Sequence, residues 1–525
     1  MDLKTLFTFQ METLSKNSRG LCPQPSWFVI QSMTFLLIAT VLTLHEAQGF
    51  LNLAESTEEE EIVDSAGTPA LKPLCGPAYE SKGKRDRNPF IEAVESSHFV
   101  DKTPMIKFFH RHSRPLLVTA PRDFGKTTNL YMLKTFYEIK VDESGIELDG
   151  HQSPNRNVFN GLVGRKRVCE ETVFDGRQWC DDQMASYPVL HYSFENLAVS
   201  GLMDFLESFR QATARVCKEH ASYLLKSDRL TPMNKTLLRS YCDAPVSGVT
   251  RQGLCASGRD MSAILAVHFG RPSLVLVDEL DAPVLRLLTS SAPDKDVEEI
   301  LAILKEFSRE LFVDNPAVGR AFLTGNTKLA TTVAPPNAVH WQFTEDEEIA
   351  PFFGFTDQEV EFLVKKAHLD IKDVREYYKG YHGQDSSTWL YNPYSIRNYL
   401  RKEWTGVYWS PAMPLTDFAP LFKTDNFVRG VFSCGAAVKE VKVHEPRSFT
   451  AEEQIGLLRE MIHKNKSVTT TSQMVVFVEF LYELGYFTNK TVPRSKTDKY
   501  FAVKTPNKEV SEIFYRFCEG PKLGY

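Results

Sequence analysis

The stretch Leu116–Thr127 reads LLVTAPRDFGKT. Leu116-Leu117-Val118 predicts a short strand. The apolar positions Leu130, Met132, Leu133 and Phe136 predict a helix from about Thr127 to Glu138. A strand that passes through a glycine-containing turn into a helix start is a place for an anion. The first N–H groups of a helix have no acceptor within it, and the helix dipole favours negative charge there. In that setting Lys126 would bring a point charge to the outer phosphates of a nucleotide. Thr127 would offer its hydroxyl to Mg²⁺, and Gly125 would let the backbone come close. Two positions depart from the usual loop. Ala120 stands where its first glycine is expected, and Asp123 adds a carboxylate that repels a triphosphate if it faces one.

Further along, Val189–Phe194, Ser273–Val277 and Ala321–Leu323 read as strands. Val297–Val313 reads as an amphipathic helix, with Ile300, Leu301, Leu304, Phe307 and Leu311 on one face. Strands alternating with helices predict an α/β fold. Its core is a P-loop NTPase parallel sheet flanked by helices on both faces. The Ser273 strand ends in Asp278-Glu279. In a phosphate-loop enzyme the first carboxylate holds the Mg²⁺ shell and the second acts as general base on the attacking water. Asp281 is expected to shape the turn that follows. Thr324 and Asn326, at the end of the next strand, are candidates for contact with the γ-phosphate or the water. An ordinary turn explains Asn326 equally well.

The core is expected over 88–345, followed by a helical lid over 346–405. Thr356 and Glu359 form a capping box at the start of a lid helix. Residues 406–525 read as a mostly helical, winged-helix-like module with strand-like stretches at 485–488 and 500–503. Ahead of the core, 50–87 is an acidic linker containing Glu58–Glu61. The apolar run Trp27–Leu44 follows Lys4, Lys16 and Arg19 and precedes acidic residues from Glu46. That asymmetry makes 1–49 a signal peptide, cleaved near Ala47 and Gly49, or a single-pass membrane anchor. It sends the chain into the secretory pathway, secreted or membrane-anchored. Of nine cysteines, only Cys22 lies in the leader. Cys169 with Cys180, and Cys242 with Cys255, are expected disulfides in an oxidising compartment. Sequons stand at Asn234, Asn465 and Asn489. With 61 basic against 67 acidic residues and a net charge of −6, the composition gives no support to nucleic-acid binding.

The ordered motifs resemble the AAA-ATPase-like family. Phe99-Val100-Asp101-Lys102-Thr103 looks like its N-terminal signature, and Pro121-Arg122-x-Phe124-Gly125-Lys126-Thr127 like its variant phosphate loop. Val277-Asp278-Glu279-x-Asp281-x-Pro283 looks like its acidic motif. Gly354-Phe355-Thr356, Tyr378-x-Gly380-Tyr381 and Tyr391-Asn392-Pro393-Tyr394-Ser395 look like its downstream motifs. Leu484-Gly485-Tyr486-x-Thr488 and Pro506-Asn507-x-Glu509-Val510 look like its C-terminal ones. The resemblance implies binding of ATP with Mg²⁺. It adds Arg122 and Phe124 to Gly125, Lys126, Thr127, Thr324 and Asn326 as nucleotide contacts. Many relatives carry a nuclease domain further on, and none is expected in the 15 residues after Val510. Where the family commonly has a second arginine, this loop has Asp123. Two functions therefore stand open. One is an Mg-ATP-dependent ATPase, with Glu279 as base and Thr127 and Asp278 on the metal. The other is a non-catalytic secreted interaction protein that retains the fold, consistent with Ala120, Asp123 and the leader. A protein partner and an oligomer are compatible with either.

Overall fold

The computed structural model describes residues 88–150, 153–160, 176–243, 250–343, 345–346, 348–382, 388–419, 421, 441–444, 449–463, 470–489 and 500–519. The leader, the acidic linker, Cys169 and Asn465 lie outside the described residues.

Five strands form the central sheet: β1 (Leu116–Thr119), β2 (Val189–Ser193), β3 (Ser273–Asp278), β4 (Val318–Gly325) and β5 (Val339–Gln342). Their order is β2-β3-β4-β1-β5, and every pairing is parallel. The first four strands match the expected ones. β5 was not legible: Val339-His340-Trp341-Gln342 has neither an apolar run nor clean alternation, and all four residues are half-buried. Among the described residues it is an edge strand that pairs with β1 alone, so little burial is demanded of it.

Successive strand residues point to opposite faces. Leu117, Leu190, Val275, Val277 and Leu323 pack on one side. Leu116, Val118, Val189, Leu274, Leu276 and Phe322 pack on the other. Strands buried on both faces need helices on both, and the chain supplies them. The second face is covered by α1 (Pro89–Glu95), α2 (Pro104–Arg111) and α3 (Lys126–Tyr137), joined by Phe159 of α4 (Pro154–Asn160) and Cys180 of α5 (Gly176–Gln183). The first face is covered by α6 (Leu202–Leu224), α7 (Pro232–Asp243), α8 (Arg251–Phe269), α9 (Ala282–Thr289) and α10 (Asp294–Phe312).

The segment expected as a lid contains α11 (Asp357–Lys366), α12 (Ile371–Tyr378) and α13 (Pro393–Lys402) around their own apolar cluster. Both bonds of the expected capping box are present. The segment is not purely helical, because β6 (Phe355–Thr356), β7 (Tyr381–His382) and β8 (Trp389–Tyr391) pair antiparallel in the order β6-β8-β7. Strands of two or three residues leave no periodic trace in a sequence. The C-terminal module has α14 (Ala451–His463), α15 (Thr471–Glu483) and α16 (Lys508–Glu519). Its strands β9 (Val441–His444), β10 (Thr488–Asn489) and β11 (Tyr500–Lys504) form an antiparallel sheet in the order β10-β11-β9.

One expected disulfide is corrected. Cys242 pairs with Cys217, not with Cys255. Cys217 on α6 meets Cys242 on α7 where these two helices pack, whereas Cys255 faces the backbone of α10 as a free, buried thiol. Burial pushes its pKa up to about 12, so it is unreactive as a thiolate. Cys180 is also disulfide-bonded, and its expected partner lies outside the described residues. Asn489 is buried, with its amide donating to the Tyr482 hydroxyl, so the folded chain does not offer that sequon to a glycan.

The bridge spans 25 residues, a loop for which the chain-entropy relation gives about 3.5 kcal/mol of stabilisation. Reduction, or replacing both Cys217 and Cys242 by Ser, should lower the melting temperature by several degrees. Peptide mapping of the oxidised protein should recover a 217–242 crosslink. A 242–255 crosslink would contradict the packing described.

Candidate phosphate-binding site

β1 ends at Thr119, and the Ala120 N–H donates to the Gly325 carbonyl at the end of β4 (3.1 Å). The loop then turns through two left-handed residues, Asp123 (φ 68°) and Gly125 (φ 87°). A side chain at Gly125 would meet nothing within 4 Å, so conformation, not space, calls for glycine there. Aspartate is one of the few other residues that adopts this region readily, which gives Asp123 a backbone role in the turn.

Lys126 opens α3 and is only 6% exposed. Its ammonium donates to the carbonyls of Ala120 (2.7 Å) and Pro121 (2.8 Å) and to Asn326 Oδ1 (3.0 Å). The lysine thus closes the loop over its own helix start. Burial pulls its pKa down, while Glu279, Asp281, Asp278 and Asp123 oppose the shift. Thr127 is half-buried at the second position of the helix. The Phe124 ring packs in the core against Phe343 (4.8 Å) and Tyr381 (5.0 Å). Its expected place at the nucleotide is therefore confined to its backbone.

Because β4 lies between β1 and β3, its end separates the lysine from the acids. Thr324 is fully buried and donates its hydroxyl to Asp278 Oδ1 (2.6 Å). The same hydroxyl accepts the Glu279 N–H (3.1 Å). Thr324 is thus turned to the acid pair, and Asn326 to the lysine. Asp281 fills its expected role in the turn. Fully buried, it accepts from the N–H groups of Asn326 (2.9 Å) and Thr327 (2.8 Å) and from the Thr327 hydroxyl (3.0 Å).

Glu279 sits at φ 53°, a left-handed conformation that a glutamate rarely takes. Burial raises its pKa to about 7; Lys126 opposes the rise, and Asp278 and Glu195 add to it. Its carboxyl lines a cavity of about 270 Å³ shared with Arg122, Asn326, Arg286, Met413 and Asp417. Three of these were not singled out in the sequence. Arg286 lies one helical turn into α9 and donates to the carbonyls of Leu197 (2.7 Å), Phe194 (3.4 Å) and Glu195. It fixes the exit of β2 beside Glu279. Met413 and Asp417 come from a segment without periodic pattern. A second, mostly apolar cavity lies between Gly125 and Thr128 of the helix start, Phe99 of the N-terminal motif and Phe355 of β6.

Thr127 and Asp278 offer hydroxyl and carboxylate oxygens, the hard donors that Mg²⁺ takes. Among the described residues no group of three or more His, Cys, Asp or Glu could hold a metal ion.

A parallel sheet whose first strand runs into a lysine-closed loop, with a carboxylate pair two strands away, defines a P-loop nucleotide-binding domain. More particularly, residues 91–333, from α1 to the turn behind Asn326, match the family model described as predicted AAA-ATPase. No curated protein matches the chain. Among solved structures, the Walker-type ATPase PABY2304 of Pyrococcus abyssi is similar at 11% identity, over 79% of this chain and 95% of that one. Its TM-score is 0.34, too loose a likeness to argue from.

Asp123→Asn keeps a residue that tolerates the left-handed turn and removes the charge. If the carboxylate faces the phosphates, affinity for a triphosphate should rise about three- to tenfold, on the order of 1 kcal/mol. An unchanged affinity in a direct binding titration would mean that Asp123 serves the backbone alone.

Proposed function

We propose that the chain binds ATP with Mg²⁺ at the phosphate loop and hydrolyses it. The observation that carries this reading is the buried Lys126 ammonium, bound to its own loop and to Asn326, with Asp278 and Glu279 two strands away across the sheet. On nucleotide binding, Lys126 exchanges loop carbonyls for phosphate oxygens, and the N–H groups of the α3 start take the remaining charge. Thr127 and Asp278 would hold Mg²⁺, which when bound would supply positive charge to the phosphates. Glu279 takes a proton from a water that attacks the γ-phosphorus. The bond from that phosphorus to the β–γ bridging oxygen breaks, and ADP and inorganic phosphate result. The cavity beside Glu279 has room for the water. The apolar cavity over Gly125 and Thr128 suits the flat, apolar faces of the base.

The Cys217–Cys242 bridge supports the further reading that the protein enters the secretory pathway and is secreted or membrane-anchored. Among the described residues no helix is long and apolar enough to cross a membrane. Asp123 favours a second reading, an interaction protein that keeps the fold and binds nucleotide without turnover.

Titration and a phosphate-release assay separate the two. Lys126→Ala should abolish saturable Mg-ATP binding. Glu279→Gln should keep binding and lose turnover by about a hundredfold or more, the scale of general-base catalysis. Turnover that is absent in the unmutated protein and unaltered by Glu279→Gln would leave the non-catalytic reading.

The pH dependence has a defined sign. Folding raises the Glu279 pKa from 4.5 to about 7, so the folded chain holds that proton more tightly than the unfolded one. Turnover should rise as pH passes through about 7 and the carboxylate forms. Stability contributed by the protonated carboxyl is lost over the interval from 4.5 to about 7. Glu279→Gln should therefore raise the melting temperature at pH 8 and change it little at pH 4.

The base site has its own test. Thr128→Phe fills the apolar cavity and should weaken ATP at least about tenfold while leaving inorganic tripolyphosphate unaffected, since the filled volume is a few buried methylene equivalents. Equal loss for both ligands would move the base elsewhere.

A further inference from the structure

The carbonyl of Arg122, in the middle of the phosphate loop, is held from outside the core. It accepts from the Trp409 indole N–H (3.1 Å) and the Asn392 side-chain amide (3.3 Å). Trp409 is 3% exposed, and its own backbone N–H donates to Glu509 (2.9 Å). Glu509, on α16, is fully buried and also accepts from the Tyr408 N–H (2.8 Å) and the Ser395 hydroxyl (2.9 Å). A continuous set of bonds therefore runs from the C-terminal helix through Glu509 and Trp409 to the loop.

Two further contacts join the same module to the site. Gly485, in the turn after α15, has φ 92°, and a Cβ there would lie 2.8 Å from the Cβ of Pro121. A larger residue would therefore push the turn off the loop. On the other side, the N–H of Lys328, two residues beyond Asn326, donates to Glu483 (2.9 Å), and its ammonium pairs with Glu479 (3.2 Å). The module grips both the phosphate loop and the segment carrying Asn326.

In a trans peptide the C=O and the following N–H point in opposite directions. Fixing the Arg122 carbonyl toward Trp409 therefore turns the Asp123 N–H the other way, away from the C-terminal module. We propose that Trp409 is a positioning residue for nucleotide binding: it sets the Arg122–Asp123 peptide so that its N–H is offered to the phosphates, with Glu509 as anchor. This rests on the nucleotide reading given above. The indole does not touch the nucleotide. It removes an alternative loop conformation in which that carbonyl would face the anion.

The test uses the full chain and the Trp409→Phe variant, which keeps the ring and loses only the N–H donor. One hydrogen bond has a net effect of roughly 1 kcal/mol, so the Kd for Mg-ATP should rise about fivefold. The melting temperature without nucleotide should fall only slightly, by about 2 °C or less, and binding should be weakened at temperatures where both proteins are fully folded, a combination that a merely structural role would not give. Hydrogen exchange of the peptide covering 120–128 should quicken in the nucleotide-free variant, while that of the β3 peptide should not. Glu509→Gln, which leaves the indole in place and weakens its anchor, should raise the Kd less. Unmutated protein that binds Mg-ATP, with an unchanged Kd in Trp409→Phe, would overturn the positioning role alone. Absence of Mg-ATP binding in both proteins would overturn the nucleotide reading and the positioning role together.

Discussion

A lysine ammonium with almost no access to water sits where β1, α3 and the end of β4 meet. Removing a cation from solvent costs several kcal/mol unless it is paired and fully hydrogen-bonded. Lys126 meets that condition with two loop carbonyls and the Asn326 side chain, and with carboxylates at longer range. The requirement reaches far into the fold. Asn326 has to be held in place, which Asp281 does from beneath through the backbone of residues 326 and 327. Asp281 in turn has to be buried, which the packing of α9 against the sheet ensures. The strand order follows the same need, since only β4 between β1 and β3 brings an asparagine between the lysine and the acid pair.

The two adjacent carboxylates are separated in role by what surrounds them. Asp278 ends a strand and is bonded to Thr324, while Glu279 is twisted into a left-handed conformation and directed at the cavity. One side chain is tied into the sheet, and its neighbour is left facing open space with a pKa near neutrality. Thr324 organises both, through its hydroxyl to one and its acceptor capacity to the other. A single buried hydroxyl thus organises both adjacent acidic residues.

The C-terminal motifs have a physical reason in this arrangement. Asn392 caps α13 with its side-chain oxygen and reaches the phosphate loop with its side-chain nitrogen. Asn507 caps α16 and donates to the carbonyl of Tyr378. Glu509 is buried because it organises backbone N–H groups that no strand or helix satisfies. These residues stand far apart in the chain and close together in space, around the loop they support.

Much of the core was legible from residues alone, because its signals are local. β1, β3 and the Gly-Lys-Thr helix start are written in apolar runs and turn chemistry, and the capping box at Thr356 in residues three apart. Asp278 and Glu279 could be read because a strand end presents its side chains predictably. What escaped were features decided by contacts across the fold. The edge strand β5 carries no apolar pattern. The strands β6, β7 and β8, of two or three residues each, are too short for periodicity. Cys242 chose Cys217 over Cys255 because α6 and α7 pack side by side, which no spacing encodes. The sequence by itself determined that a phosphate loop and an acidic strand exist, since backbone propensity and burial act within a few residues. Only the tertiary structure decided that Asn326 faces the lysine, that Glu279 titrates near neutrality and that Trp409 holds the loop. Hydrogen-bond partners and desolvation depend on which distant segments come together.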